Sequence, residues 1–230
     1  DLNVSSFNTS NVTDFSSIFQ GCKKLVKLDI SNFNTGNAIS MANMFNSWSN
    51  LTSLDLTNFN TSNVKDMLGM FNLCNNITEL NMSNFNTEKV NRMSYMFQGC
   101  GKLEKIDLSN FDVSNVTKML CMFNGCNALL ELDLSNFNTI KVNDMSSMFN
   151  ECYNLKKVYV KKFNESVNGG WTTDEVQVST NMFLSCIKIT GGNGTTYNAE
   201  NIDATYARID TEETPGYFTN IEEKEADVTQ

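Results

Sequence analysis

If the recurring LxxLDL segments are strands, one outward position along them reads Asn3, Asp29, Asp55, Asn81, Asp107, Asp133 and Tyr159, each 26 residues after the last. Ser31, Thr57, Ser83, Ser109 and Ser135 follow close behind, then Asn32, Asn58, Asn84, Asn110 and Asn136. A carboxylate row backed by hydroxyls and amides could hold calcium, which takes oxygen ligands, or recognise a cationic or polyhydroxyl ligand. A structural reading competes: each Asp could accept hydrogen bonds from Ser, Thr or Asn of the next coil and fix the register. That reading is favoured, because every coil repeats the feature and a binding site is usually more local. The row changes character in LKKVYVKKF, where Tyr159 replaces Asp between Lys156, Lys157, Lys161 and Lys162. An amphipathic ring beside cations fits a binding hot spot. It also fits a last coil that must meet a different neighbour and relieve repulsion along the stripe. The candidate ligand-binding residues are therefore Tyr159, Asp29, Asp55, Asp107, Asp133, Lys157 and Lys161.

Other chemistry finds little support. Asp29 and Asp55 could lie near the spacing of a retaining glycosidase pair, but catalysis needs two carboxylates in unlike environments, and a translational ladder makes them alike. The chain has no His and no P-loop or nucleophile-elbow motif, so it is expected not to be an enzyme and to need no cofactor. Cys22, Cys74, Cys100, Cys126, Cys152 and Cys186 share one repeat slot, which Trp48 fills in the remaining coil. Trp cannot ligate zinc and there is no C-x-x-C pair, so a buried thiol ladder is favoured over disulfides between coils or a metal. Cys121 sits in a different slot and is expected to be exposed. A net charge of -9 argues against nucleic acid, whose phosphates need a basic face. No apolar run reaches the ~20 residues of a membrane span, so no membrane insertion is expected.

The elements behind these positions come from the period. Phe7, Phe33, Phe59, Phe85, Phe111, Phe137 and Phe163 step by 26; so do Phe19, Phe45, Phe71, Phe97, Phe123 and Phe149, followed by Phe183. A repeat of this length belongs to the leucine-rich type of solenoid. In LTSLDL the alternation of Leu51, Leu54 and Leu56 with polar residues predicts a short strand. Val64, Met67, Met70, Phe71 and Cys74, spaced by three and four, predict about two turns of helix, capped by Thr61, Ser62 or Asn63. Met ladders follow, one headed by Phe15 and one by Ile18. The fold class expected is a right-handed α/β solenoid of the leucine-rich-repeat type, with short parallel strands on one face, short helices on the other and a C-terminal cap.

The domain reading is residues 1–186 as solenoid, 187–219 as cap and 220–230 as an acidic, disordered linker or tail. The solenoid comprises an incomplete first coil, five full ones and a coil lengthened by eight residues around Asn168-Gly169-Gly170-Trp171. The start, Asp1-Leu2-Asn3-Val4, enters the pattern in mid-strand, as a piece of a longer protein would.

The repeat, seen as LDLTNFNTSNVKDMLGMFNLC and LDLSNFNTIKVNDMSSMFNEC, resembles the BspA-like leucine-rich-repeat surface proteins of bacteria. The ending, GGNGTTYNAENIDATYARIDTEETPGYFT, is similar to the cap of such arrays. The resemblance implies export, surface display and, in some members, adhesion to host or neighbouring-cell proteins. The function expected is a secreted or cell-surface binding module whose partner is an extracellular protein or glycoprotein. The alternative is a passive spacer that displays another domain.

Overall fold

The computed structural model describes residues 2–228. Asp1, where the chain is expected to enter the repeat in mid-strand, lies outside the described residues, as do 229 and 230 of the acidic segment. The 26-residue period is a physical step between stacked coils. Asp14 bridges Ser40, Ser40 bridges Asp66 and Asp66 bridges Arg92, all in parallel, and Lys118 bridges Asp144 in the same way. The following step, Asp144 to Val178, carries the eight extra residues.

The content of each coil corrects the expected fold class: the stack is not an α/β leucine-rich-repeat solenoid of strands and helices. Its regular elements, among the described residues, are β1 (Glu131–Asp133), β2 (Lys157–Val160), a 3-10 turn (Ala204–Tyr206), β3 (Thr219–Asn220) and α1 (Ile221–Val228). The segment 64–74, expected as a helix, shows why. Met67, Gly69, Phe71 and Leu73 donate their N–H to the carbonyls of Arg92, Ser94, Met96 and Gln98 in the next coil. Between them, Met70, Asn72 and Cys74 turn back to Met67, Gly69 and Phe71. An α-helix would send every N–H four residues back within its own segment. Two left-handed residues per coil prevent that: Gly69 and Leu73 both have φ of 59°. The pair recurs as Ser17 and Gly21, Asn43 and Ser47, Tyr95 and Gly99, Cys121 and Gly125, Ser147 and Glu151, Asn181 and Ser185. A left-handed non-glycine residue costs roughly 1–2 kcal/mol, and the bonds to the next coil offset it. Val64, Met67, Met70, Phe71 and Cys74 are all fully buried, so a run of turns produces the same apolar spacing as a helix.

The strands are corrected too. Leu51, Leu54 and Leu56 are buried as the alternation requires, but among the described residues the sheet forms only toward the C-terminal end, in the order β1-β2-β3, all parallel. In earlier coils side chains take over the inter-coil bonding. Asn58 Nδ2 donates to Ile30 O, Ser31 O and Phe33 O at 3.0, 3.2 and 2.9 Å. Asn84 repeats this on Leu56, Thr57 and Phe59, and Asn136 on Leu108, Ser109 and Phe111. Thr35 Oγ1 donates to Asn60 O and accepts from Asn60 N; Thr61 does the same with Asn86. Each polar group thus meets its partner one coil away, as buried polar groups require.

The core is a column of rings. Phe19, Phe45, Phe71, Phe97, Phe123, Phe149 and Phe183 lie 5.5–6.0 Å apart, centroid to centroid, and within 15° of parallel. Beside it, Cys74, Cys100, Cys126, Cys152 and Cys186 each donate Sγ–H to the carbonyl of a column Phe, at 2.8–3.3 Å. The Met ladders are fully buried from Met41 to Met182, whereas Ile18 and Phe7, in the first coil, are about half exposed.

At the far end the segment 187–219 closes over Phe183. Tyr217 and Phe218 set their rings edge-on to it. Ile202 O and the Tyr197 hydroxyl accept the N–H groups of Phe183 and Ser185 that would otherwise lack a next coil. The inserted loop turns Trp171 inward, where its Nε1 donates to Ala207 O at 2.8 Å and its ring meets Phe218 edge-on. Asp210, 3% exposed, accepts from Thr195 N, Thr195 Oγ1 and Gly216 N. Gly191 is needed beside it, since a Cβ there would collide with Gly216 O and Asp210.

Within the acidic segment, Ile221–Val228 form a helix. Asn220 Oδ1 accepts Glu222 N and caps α1, and Glu222 and Glu223 occupy the first turn, where the positive end of a helix favours them. Among the described residues no helix is long and apolar enough to cross a membrane.

Candidate functional site

The acidic row is built by local turns. Asp29 Oδ1 accepts from Ser31 N and Ser31 Oγ at 3.0 and 2.7 Å, and Asp55 Oδ1 accepts from Thr57 N and Oγ1 at 2.9 and 2.7 Å. Asp107 and Asp133 bind Ser109 N and Ser135 N in the same way. These partners lie two residues on in the same coil, so the register is held by the Asn and Thr side chains described above and not by the carboxylates. The hydroxyls of Ser31 and Thr57, then their amides, hold the Asp29 and Asp55 carboxyls below the usual carboxylate range; at Asp107 the amide of Ser109 leads. All four Asp are exposed. Shallow grooves run between coils at this face, one lined by Ser53, Asp55, Thr57, Glu79 and Asn81, another by Asp107, Ser109, Asp133 and Ser135.

Tyr159 continues the row, since it pairs with Asp133 across β1 and β2 and with Thr219 across β2 and β3. A side chain of α1 reaches its ring: Lys224 Nζ lies 4.3 Å from the ring centroid and 3.5 Å from Asp133 Oδ2. Lys157, proposed from the sequence as a ligand contact, donates its ammonium to Gly191 O at 2.9 Å and so ties β2 to the C-terminal segment. Lys161 is exposed, and its carbonyl accepts Trp171 N. The structure therefore brings Tyr159 and Asp133 together, spreads Asp29, Asp55 and Asp107 along the stack, and gives Lys157 a structural bond.

Two features escaped the sequence reading. Lys224 falls in the segment expected to be a disordered linker or tail, although the Asn220-Ile221-Glu222-Glu223 run that starts α1 is a recognisable helix-start pattern. The second is an open cleft of about 710 Å³ between the last coil and the C-terminal segment, with Trp171 in its wall and Lys162, Asp174, Arg208 and Glu223 around it. Arg208 is already engaged there, donating Nε to Pro215 O at 2.9 Å.

The ladder thiols from Cys74 to Cys186 are buried. Burial pushes Cys74 and Cys152 up to about 12 and raises Cys100, Cys126 and Cys186 well above the ordinary thiol value. Cys121, half-buried, is also raised by desolvation. Among the described residues no three His, Cys, Asp or Glu side chains gather as a ligand set for a metal.

Residues 1–80 and 70–190 each match the family described as "Mycoplasma protein of unknown function, DUF285". Neither a curated protein nor a solved structure matches the chain.

Proposed function

The chain belongs to the DUF285 family, and from that premise we propose that it is a protein-binding module, displayed at or secreted from a bacterial surface, that holds its partner against the face bearing Asp29, Asp55, Asp107 and Asp133. The observation carrying this reading is the row itself. Each carboxylate is oriented by its own turn through Oδ1 and is exposed; Asp29 and Asp55 lie one coil apart, as do Asp107 and Asp133, with Asn81 in the coil between the two pairs. Pre-oriented charges lose little freedom on binding, and a negative row speeds the approach of a cationic partner. The BspA-like character of the repeats supports a place outside the cell and an adhesive role toward host or neighbouring-cell proteins or glycoproteins. The reading is non-enzymatic: Asp29 and Asp55 have equivalent partners, Ser31 and Thr57, and shift the same way, whereas an acid and a base need environments that drive them apart.

The test is capture by the immobilised protein from host-matrix and cell-surface extracts, with Asp55→Asn and Asp107→Asn as paired controls. Capture that both substitutions weaken supports the face. Capture indifferent to them moves the site elsewhere. The passive-spacer reading draws on one observation, that each of the four carboxylates already serves its own turn; it predicts no specific capture at all.

A further inference from the structure

The position of Lys224 identifies what the end of this face is built to hold. An ammonium attracts two kinds of group, an anionic oxygen and the face of an aromatic ring. Lys224 has both at once, Asp133 Oδ2 at 3.5 Å and the Tyr159 ring centroid at 4.3 Å. The receptor half is held in place without the lysine: Asp133 Oδ1 is fixed by Ser135 N, and Asp133 and Tyr159 are partners in the β1–β2 ladder. The lysine half comes from an eight-residue helix that begins directly after β3. We propose that Tyr159 and Asp133 form a receptor for a lysine ammonium, kept occupied by the chain's own Lys224 until a lysine-rich segment of a partner protein replaces it. The inference rests on the reading of the Asp-bearing face as a binding surface.

Charge and spacing select that occupant. Asp107, Asp55 and Asp29 continue the row away from Tyr159, each with Oδ1 already taken by its turn. A segment with several ammonium groups can engage more than one of them, and each further contact becomes intramolecular once the first is made. Lys224 is a single tethered competitor making two partly exposed contacts, and such contacts are individually weak. The helix therefore screens the site against isolated cations and yields to a polyvalent one.

Anisotropy of a fluorescently labelled penta-lysine peptide, titrated with the full chain at low ionic strength, tests this. Lys224→Gln should tighten binding about three-fold or more by removing the competitor, and Tyr159→Ala added to it should abolish the gain, as loss of a cation–ring contact predicts. Tyr159→Phe keeps the ring and should keep the gain, and thermal melts confirm that each variant is folded. No gain from Lys224→Gln, or the same gain with Tyr159→Ala present, overturns the proposal and leaves only a change in net charge. Tyr159-dependent peptide binding without capture from extracts would uphold this site and remove the adhesive reading. Capture that needs Asp55 and Asp107, with no Tyr159 dependence, would do the reverse.

Discussion

The regular coils and the C-terminal end solve the same problem by opposite means. In the coils, a residue meets its own kind: Phe71 stacks on Phe45 and Phe97, and Asn84 grips the coil before it as Asn58 does. At the end nothing repeats. Rings meet edge-on, Trp171 reaches Ala207 O, and Asp210 gathers Thr195 and Gly216. Translation spreads a modest interaction over many copies, whereas termination depends on a few contacts that have no copy. Damage in the coils should therefore be large but shared between neighbours, and damage at the end should stay local.

The greatest loss is expected for Phe97→Ala, which opens a gap in the middle of the ring column. Such truncations cost about 3–5 kcal/mol, and chemical denaturation should show it. If Trp171→Ala at the end cost the same and also exposed amides of the first coils to hydrogen exchange, the distinction between the regions would fail. Asp210→Ala comes next, at about 2–3 kcal/mol for buried donors left without an acceptor; exchange should rise at Thr195 and Gly216 while the column stays protected. Asn84→Ala, which removes the donor to Leu56, Thr57 and Phe59, should cost about 1–2 kcal/mol. Its exchange signature should fall on both sides of that one interface.

Thiol labelling sharpens the comparison without mutation. The five ladder thiols from Cys74 to Cys186 should react only on unfolding, with Cys22 and Cys121 ahead of them. Early loss of all seven would refute the column. The smallest effect concerns acid. Asp29, Asp55 and Asp107 have lowered native pKa values, so their stabilisation is complete above the ordinary carboxylate value near ~3.9 and is lost as pH falls through the lower native values. At Asp210 burial pushes the carboxyl up, but hydrogen bonds from Thr195 and Gly216 outweigh it and the net shift is also downward. Because the stripe is exposed and screened, Asp210 should carry most of the acid sensitivity. Stability measured below about pH 4 should flatten more in Asp210→Ala than in the Asp29→Asn, Asp55→Asn pair.

The period made the core legible: Val64, Met67, Met70, Phe71 and Cys74 are inside, as their spacing requires. It did not reveal the backbone, because spacings of three and four suit a helix and a run of turns alike. The discriminating signal lay in the left-handed slot, where Asn43, Gly69 and Asn181 are residues that enter that region readily, but Tyr95 and Cys121 in the same slot obscure it. The missing strands have a similar cause. LxxLDL alternates as a strand does, yet the carbonyls of Ile30, Ser31 and Phe33 go to the Asn58 amide, and no hydrophobic pattern records where a carbonyl bonds. Of the site, the Asp row and Tyr159 could be read from register. Lys224 was harder to read, since composition marks 220–230 only as polar, and the sole sign of the helix Ile221–Val228 is the cap pattern that begins at Asn220.

The one-way bonding of the turn runs has an electrical consequence. Met41, Asn43, Phe45 and Ser47 all direct N–H toward the next coil, to Asp66, Leu68, Met70 and Asn72, while Lys65 N to Ile39 O runs the other way. The aligned peptide groups outnumber the opposed one, so their dipoles, about 3.5 D each, add along the stack instead of cancelling. A nearly helix-free array thus acquires the polarity of a long helix, its negative pole at the coil of Phe15 and its positive pole where Phe183 meets Ile202. A charged molecule approaching within about 10 Å, the reach that salt allows, meets a different potential at each end, even though the coils between are almost copies of one another.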